Sequence, residues 1–112
     1  MVMLNGGAQV APESGGVEAM AQTILRFDDL MSANYNLSAI RPSTRLMLHI
    51  ATHGPLTIKD AMRTTPLSYR AFYAMLSVMK EKGLVAVEEV QDDRRCKRLV
   101  LGQSFDNIKG SL

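Results

Sequence analysis

The sequence predicts a mainly α-helical domain that ends in a small β-hairpin. Three observations carry this prediction: apolar residues recur at steps of three and four within residues 17–82, Gly and Pro separate these stretches, and two runs rich in Val and Leu flank a polar turn near residue 92. The first pattern is typical of amphipathic helices and the last of paired strands. Because 112 residues suffice for one core, we expect a single domain over 17–112.

Residues 1–16 and the first helix follow different patterns. Residues 1–16 are rich in Gly, Ala, Pro and small polar residues, which predicts a flexible tail. A helix is predicted over about 17–35, and its apolar stripe consists of Val17, Met20, Ala21, Ile24, Phe27 and Met31. Leu25 and Leu30 fall outside that stripe. A helix with apolar residues on additional faces often packs against a partner, so these leucines and the C-terminal tail predict a homodimer contact.

Three further helices are predicted before residue 84, and one or two helical turns are predicted in the C-terminal tail. The segment 41–55 is predicted to contain the second helix, because Pro42 near its start and Gly54-Pro55 at its end match the known preferences of helix termini. Residues 57–60 resemble a capping box with Asp in place of Glu, which predicts a short helix to about Arg63. A longer helix follows over about 67–82, and residues 102–112 have room for one or two helical turns.

The longer helix has two chemically different faces. Its predicted inner face is apolar: Leu67, Ala71, Phe72, Met75, Leu76 and Met79. Its predicted outer face is polar: Ser68, Tyr69, Arg70, Tyr73, Ser77 and Lys80. Arg70 suits a guanine edge or a phosphate, the two tyrosines suit phosphates and thymine methyl groups, and Ser68 is placed to cap the helix. A solvated outer face without a ligand explains the same residues equally well.

The hairpin is predicted over about 84–101, with strands at 84–87 and 96–101. A short helix, a turn, a longer helix and then a hairpin form the element order of a winged helix-turn-helix, in which the hairpin is the wing. Basic residues follow its turn: Arg94, Arg95, Lys97 and Arg98. Arginine suits the narrow minor groove and its phosphates. Pairing of Asp93 with Arg95 would instead only hold the shape of the turn.

Two segments resemble the MarR family of bacterial transcriptional regulators. They are Leu67-Ser68-Tyr69-Arg70-Ala71 through Gly83-Leu84-Val85, and Asp92-Asp93-Arg94-Arg95 before a strand ending in Leu101; the match covers about 42–101. The resemblance implies a DNA-binding regulator whose partner is double-stranded DNA, with Asp93 bracing the wing. The predicted DNA-binding residues are Ser68, Tyr69, Arg70, Tyr73, Arg94, Arg95 and Lys97. Family members usually continue into long C-terminal helices with a ligand cleft, which we expect this chain to lack.

The acidic stem of the predicted wing supports an alternative. Glu88 and Glu89 precede the basic tip, and the net charge of the chain is only +2. Carboxylates on a surface that faces DNA repel its phosphates. The alternative is therefore a winged-helix protein–protein interaction module without DNA binding.

Other chemistries have weaker support. His49 and His53 lie four residues apart without a third ligand of suitable spacing, which favours a structural role over a metal site. Cys96 is a candidate redox switch between two cationic residues, although packing is the commoner role of a strand cysteine. Neither a catalytic triad nor a Gly-rich phosphate loop is recognisable, so we expect no enzyme activity and no cofactor. A single cysteine and the lack of a long apolar run favour a cytoplasmic protein.

Overall fold

A computed structural model describes the backbone of residues 13–90 and 93–112 and the side chains of residues 16–89 and 97–112. Within these residues the chain forms five helices and a three-stranded antiparallel sheet. The elements in order are α1 (Glu13–Tyr35), α2 (Pro42–His53), β1 (Leu56–Thr57), α3 (Ile58–Thr64), α4 (Tyr69–Glu81), β2 (Val85–Val90), β3 (Asp93–Leu101) and α5 (Gln103–Ser111). The predicted fold class, mainly helical with a hairpin, is confirmed. None of the described helices is long and apolar enough to cross a membrane.

Helix α1 differs from the prediction in its start and in its buried face. It begins at Glu13, so residues 13–16 are helical and not part of a flexible tail, while residues 1–12 lie outside the described residues. Ala21 and Leu25 are buried against Leu48 of α2. The predicted dimer contact of Leu25 is therefore wrong, because only 7% of this residue is exposed. Phe27 was predicted to face the core and is instead 56% exposed.

The main core lies between α2, α3, α4 and the sheet. Its buried residues are Leu46, Ile50, Ala61, Phe72, Leu76, Met79, Val85 and Leu99. Helix α4 contributes three of them, all from the face that the sequence predicts to be the inner one. Burial of this face orients the opposite, polar face of α4 toward solvent.

Both ends of α4 have identifiable caps. At the start, the hydroxyl oxygen of Ser68 accepts a hydrogen bond from the backbone N–H of Ala71 at 3.2 Å, as the sequence predicts. At the end, the N–H of Leu84 donates to the carbonyl of Met79 at 2.9 Å, and the N–H of Gly83 donates to the carbonyl of Lys80 at 3.1 Å. This bonding pattern is a Schellman motif, and it needs the left-handed conformation that Gly83 adopts at φ +74°.

The start of α5 is fixed against the end of α4 where two glycines approach each other. The N–H of Gly102 donates to the carbonyl of Leu84 at 2.8 Å, and the N–H of Ser104 donates to the carbonyl of Gly83 at 3.0 Å. The hydroxyl of Ser104 also donates to the carbonyl of Lys82 at 2.8 Å. A Cβ atom on Gly102 would lie 2.2 Å from the carbonyl oxygen of Gly83, so only glycine permits this approach.

The sheet has the strand order β1-β3-β2. Strand β1 was not predicted; its Leu56 pairs with Leu99 and its Thr57 with Arg98 of β3. Strands β2 and β3 pair in register from Val85 opposite Leu101 to Glu89 opposite Lys97, beyond which the register becomes irregular. This long hairpin is the predicted wing.

Candidate nucleic-acid interface

The outer face of α4 carries a group of exposed polar residues. Its six predicted residues are all exposed: Ser68, Tyr69, Arg70, Tyr73, Ser77 and Lys80. Tyr69 is 68% exposed and Tyr73 is 39% exposed, which is high for aromatic side chains. The hydroxyl oxygen of Ser68 is used in the helix cap, while its O–H remains able to donate to a ligand. The structure thus brings the predicted helix residues together on one side of α4.

The two tyrosines on this surface hold each other in place. Their ring centroids lie 4.8 Å apart with the planes tilted by 44°. The ring of Tyr73 also meets the buried ring of Phe72 edge to face, with centroids 5.5 Å apart. A side-chain hydrogen bond with Tyr69 is the largest cause that raises the pKa of Tyr73, followed by partial burial and the charge of Tyr69. Tyr73 therefore stays a neutral hydroxyl at neutral pH.

The wing places its charged residues on two different faces. Lys97 lies opposite Glu89, on the same face of the hairpin as the inward-facing pair Val87 and Leu99. This face looks toward α4, because Val87 and Lys97 line a cleft together with Tyr73 and other residues of α4. Lys97 thus belongs to the same surface as the predicted residues of the helix.

Arg98 and Glu88 lie on the other face of the wing. They are register partners, and Nη2 of Arg98 lies 3.0 Å from Oε1 of Glu88. The side chains are 40% and 47% exposed, so this ion pair adds little to stability. It does offset one of the two negative charges of the wing stem, which leaves Glu89 as the exposed carboxylate beside Lys97.

The side chains of residues 90–96, which include the predicted wing tip, lie outside the described side chains. They include the predicted DNA contacts Arg94 and Arg95, the predicted brace Asp93, and Cys96 with its suggested redox role. These predictions stay predictions.

A buried ion pair that the sequence did not predict joins α1 to the elements that carry the interface. Nη1 of Arg45 lies 2.7 Å from Oδ2 of Asp28, and Nη2 lies 2.8 Å from Oδ1 of Asp29. Nε of Arg45 donates to the carbonyl of Thr64, the last residue of α3, at 2.9 Å. The backbone N–H of Ala39 donates to Oδ1 of Asp28 at 2.6 Å. One guanidinium therefore connects α1, α2 and the end of α3.

The electrostatics of Asp28 agree with a charged, hydrogen-bonded group. Burial is the largest single influence and raises the pKa of Asp28, but the hydrogen bonds from Ala39, Ile40 and Arg45 together with the charge of Arg45 outweigh it, so the net pKa is lowered. Asp28 is 4% exposed. A carboxylate at an inward position of α1 interrupts its apolar period, and that interruption was the one available signal in the sequence.

The histidine pair on α2 is packed as stacked rings. The ring centroids of His49 and His53 lie 5.5 Å apart with planes 19° from parallel. Burial, followed by the positive charges of Arg45 and His53, lowers the pKa of His49. Nε2 of His49 is buried without a hydrogen-bond partner among the described residues. In that same part of the chain, His, Cys, Asp and Glu form no group of three that suits a metal ion.

These elements define a winged helix-turn-helix: α3 and α4 form the helix-turn-helix, and the β2–β3 hairpin is the wing. Solved structures of MarR-like transcription regulators share this fold, which confirms the predicted resemblance at the level of the fold. No sequence-family model matches the chain, and no curated protein sequence matches it.

Three solved structures illustrate the similarity. A MarR-like transcription regulator from Bacillus cereus ATCC 10987 aligns with 87% of this chain and 66% of its own, at 18% identity and a TM-score of 0.52. AbfR of Staphylococcus epidermidis aligns with 87% of this chain and 65% of its own, at 18% identity and a TM-score of 0.54. Wild-type MarR from E. coli in its apo form aligns with 93% of this chain and 75% of its own, at 15% identity and a TM-score of 0.55. This chain spans slightly less than two thirds of the first two proteins.

AbfR has also been solved in its reduced form bound to DNA. That structure aligns with 87% of this chain and 69% of its own, at 16% identity and a TM-score of 0.52.

Proposed function

We propose that this chain is a DNA-binding transcriptional regulator. The observation that carries the proposal is the polar outer face of α4, where Tyr69, Arg70 and Tyr73 are exposed beside the wing. A major-groove helix needs such groups near its N-terminal end, on the side away from its core. The similarity to MarR-like regulators, and to AbfR bound to DNA, adds support.

In this proposal α4 enters the major groove with its N-terminal half. Arg70 binds the O6 and N7 acceptors of a guanine or a phosphate, while the paired tyrosines contact phosphates and thymine methyl groups. The wing reaches the minor groove and its phosphates through Arg94, Arg95 and Lys97. Ser68 caps the helix and can add one hydrogen bond to the backbone of the DNA.

The proposed active form is a homodimer that reads a near-palindromic site. Apolar side chains remain exposed on α1 and at the end of the chain: Met20, Phe27, Leu30, Ile108 and Leu112. Met20 and Leu112 line the same cleft, so the two exposed groups adjoin each other. Leu30 is 49% exposed, which supports the dimer contact proposed for it. Leu30→Glu is expected to give a monomer in light scattering at concentrations where the unmodified chain is dimeric.

Fluorescence anisotropy with labelled duplexes tests DNA binding. The unmodified chain is expected to bind a random-sequence duplex at low salt, and selection from a random pool then supplies a specific site. Arg70→Ala is expected to cost about 1–3 kcal/mol on that site if the arginine contacts a base. Arg26→Ala removes the same charge from an exposed position of α1 and serves as the matched control.

Complete lack of retention of duplex at low salt would contradict the proposal, because even non-specific binding is strongest there. That outcome would favour the protein–protein interaction module. Equal losses for Arg70→Ala and Arg26→Ala would leave DNA binding intact and remove α4 as the reading element.

A further inference from the structure

The cleft between α4 and the wing has features that the proposed contacts do not use. It has a volume of about 440 Å³, and its walls come from different elements. One wall is α4 with Tyr73, Ser77 and Lys80, and the other is the wing with Val87 and Lys97. We call it the α4–wing cleft. Of its residues, only Tyr73 and Lys97 were among the predicted DNA contacts.

The charge of this cleft is positive on both walls. Lys80 and Lys97 are exposed, and neither forms an ion pair with a carboxylate among the described side chains. Glu89 is exposed opposite Lys97 on β2, and the ion pairs of the described residues leave it unused as well. Two ammonium groups that border one cleft repel each other, and an anion between them relieves this repulsion. The hydroxyls of Tyr73 and Ser77 supply further donors on the α4 wall.

Part of the lining of the cleft is apolar. Ile58 and Leu76 line it together with Val87 of the wing. Apolar surroundings lower the local dielectric constant, so a charge-assisted hydrogen bond formed there is stronger than one in open water. The cleft therefore combines positively charged donors with apolar lining residues.

We propose that the α4–wing cleft holds one backbone phosphate of the DNA, bound jointly by Lys80 and Lys97. This inference rests on the proposed function and deepens it, since it assigns DNA contacts to Lys80 and Ser77. The cleft begins at Tyr73, where the proposed major-groove surface ends. A phosphate of a bound duplex is carried to the cleft by the contacts of α4. A free anion would have to be held by two solvated lysines alone.

A joint phosphate fixes how the protein is placed on the duplex. Phosphate contacts position a protein on DNA without reading its sequence. Because Lys80 lies on α4 and Lys97 on the wing, one phosphate between them sets the position of the helix in its groove relative to the wing in the next. The residues of the cleft thus act on register and affinity, and Arg70 acts on sequence.

The salt dependence of binding to a random-sequence duplex tests the joint contact. The logarithm of the binding constant falls with the logarithm of salt with a slope of about −0.9 per neutralised phosphate. Lys80→Gln together with Lys97→Gln is expected to reduce this slope by about 0.9, one phosphate, whereas two separate contacts would reduce it by about 1.8. Lys80→Arg keeps the charge and is expected to retain the unmodified slope. Lys82→Gln, at the cap of the same helix and outside the cleft, is the matched control.

Each outcome separates this inference from the proposed function. An unmodified chain that binds duplex, with an unchanged slope in the double variant or a loss of about 1.8, overturns the joint phosphate and leaves DNA binding standing. An unmodified chain that binds no duplex overturns both. Stabilisation against heat by inorganic phosphate, lost in Lys80→Gln without any duplex binding, would show a site for a free anion and also overturn the inference. Circular dichroism of each variant verifies that the fold is retained.

Discussion

Replacing Asp28 with Asn keeps the size of the side chain and removes its negative charge from the ion pair with Arg45. Oδ2 of Asp28 lies 2.7 Å from the guanidinium, and Oδ1 accepts from the N–H of Ala39 at 2.6 Å. The Asn amide can accept from only one of these donors. Its NH₂ group must then face the other donor, so one buried polar contact becomes repulsive.

The size of the effect follows from what Arg45 retains. Removal of one partner of a buried ion pair costs about 3–5 kcal/mol, because it leaves an uncompensated buried charge. Arg45 is 19% exposed and keeps Asp29 at 2.8 Å and the carbonyl of Thr64 at 2.9 Å. We therefore expect a loss of about 2–3 kcal/mol in the free energy of unfolding, which is at or below the lower end of that range. Against a total of about 5–15 kcal/mol this loss is large.

Urea denaturation monitored by circular dichroism measures this loss. Asp29→Asn is the matched control: the same guanidinium loses a carboxylate that is 63% exposed, and the expected cost is about 0–1 kcal/mol. A loss below about 0.5 kcal/mol for Asp28→Asn, or equal losses for the two variants, would refute the assignment of the ion pair as a structural connection.

The pH dependence of stability gives a second readout of the same group. The pKa of Asp28 is lower in the folded chain than in the unfolded chain. Asp28 therefore adds to the free energy of unfolding at pH values above its unfolded-state pKa of about 3.9. This contribution is lost as the pH falls from there through the folded-state pKa. Asp28→Asn is expected to flatten this part of the curve, and Asp29→Asn is expected to retain it.

Two further predictions concern the glycine approach and the histidine pair. Gly102→Ala is expected to lower stability by about 1–3 kcal/mol in a thermal melt, because the new Cβ would meet the carbonyl of Gly83. Gly110→Ala is the control, since its Cβ has open space and the change should be neutral or slightly stabilising. Equal melting temperatures for the two variants would contradict the steric role of Gly102. Burial lowers the pKa of His49 in the folded chain. Stability is therefore highest above the unfolded-state pKa of about 6.5, and part of the free energy of unfolding is lost as the pH falls below that value. His49→Phe is expected to reduce this loss between pH 7 and 5, and the same loss in His49→Phe as in the unmodified chain would be the contrary result.

The sequence predicted the elements whose burial follows a simple period. Residues of α4 alternate between core and solvent as the spacing of Phe72, Leu76 and Met79 indicates, and Gly83 ends the helix where expected. Burial in α1 does not follow the predicted apolar stripe, because Asp28 occupies an inward position and shifted the apparent stripe away from Leu25. Strand β1 has only two residues, which is too short for any period, and its existence depends on the distant β3.

The site was predictable where it depends on one element and not where it depends on two. Exposure of Tyr69 and Arg70 follows from the helix period alone. The cleft that brings Lys80 and Lys97 to one place depends on the packing of α4 against the wing, and Lys97 lies 17 positions after Lys80 in the sequence. The contact of Tyr69 with Tyr73 could be predicted only in part. Their spacing of four residues permits the contact, and the buried ring of Phe72 orients the ring of Tyr73.

The glutamates of the wing stem have a consequence for the behaviour of the chain at high concentration. Strand β2 is an edge of the described sheet, and its backbone groups on that side are open to pairing with another chain. Charged side chains on an edge strand oppose such pairing. In the proposed function Glu88 and Glu89 weaken the attraction of the wing to DNA, and on the edge strand the same two side chains oppose self-association. Replacing both glutamates with neutral residues to strengthen binding would therefore also increase the tendency of the chain to self-associate through β2.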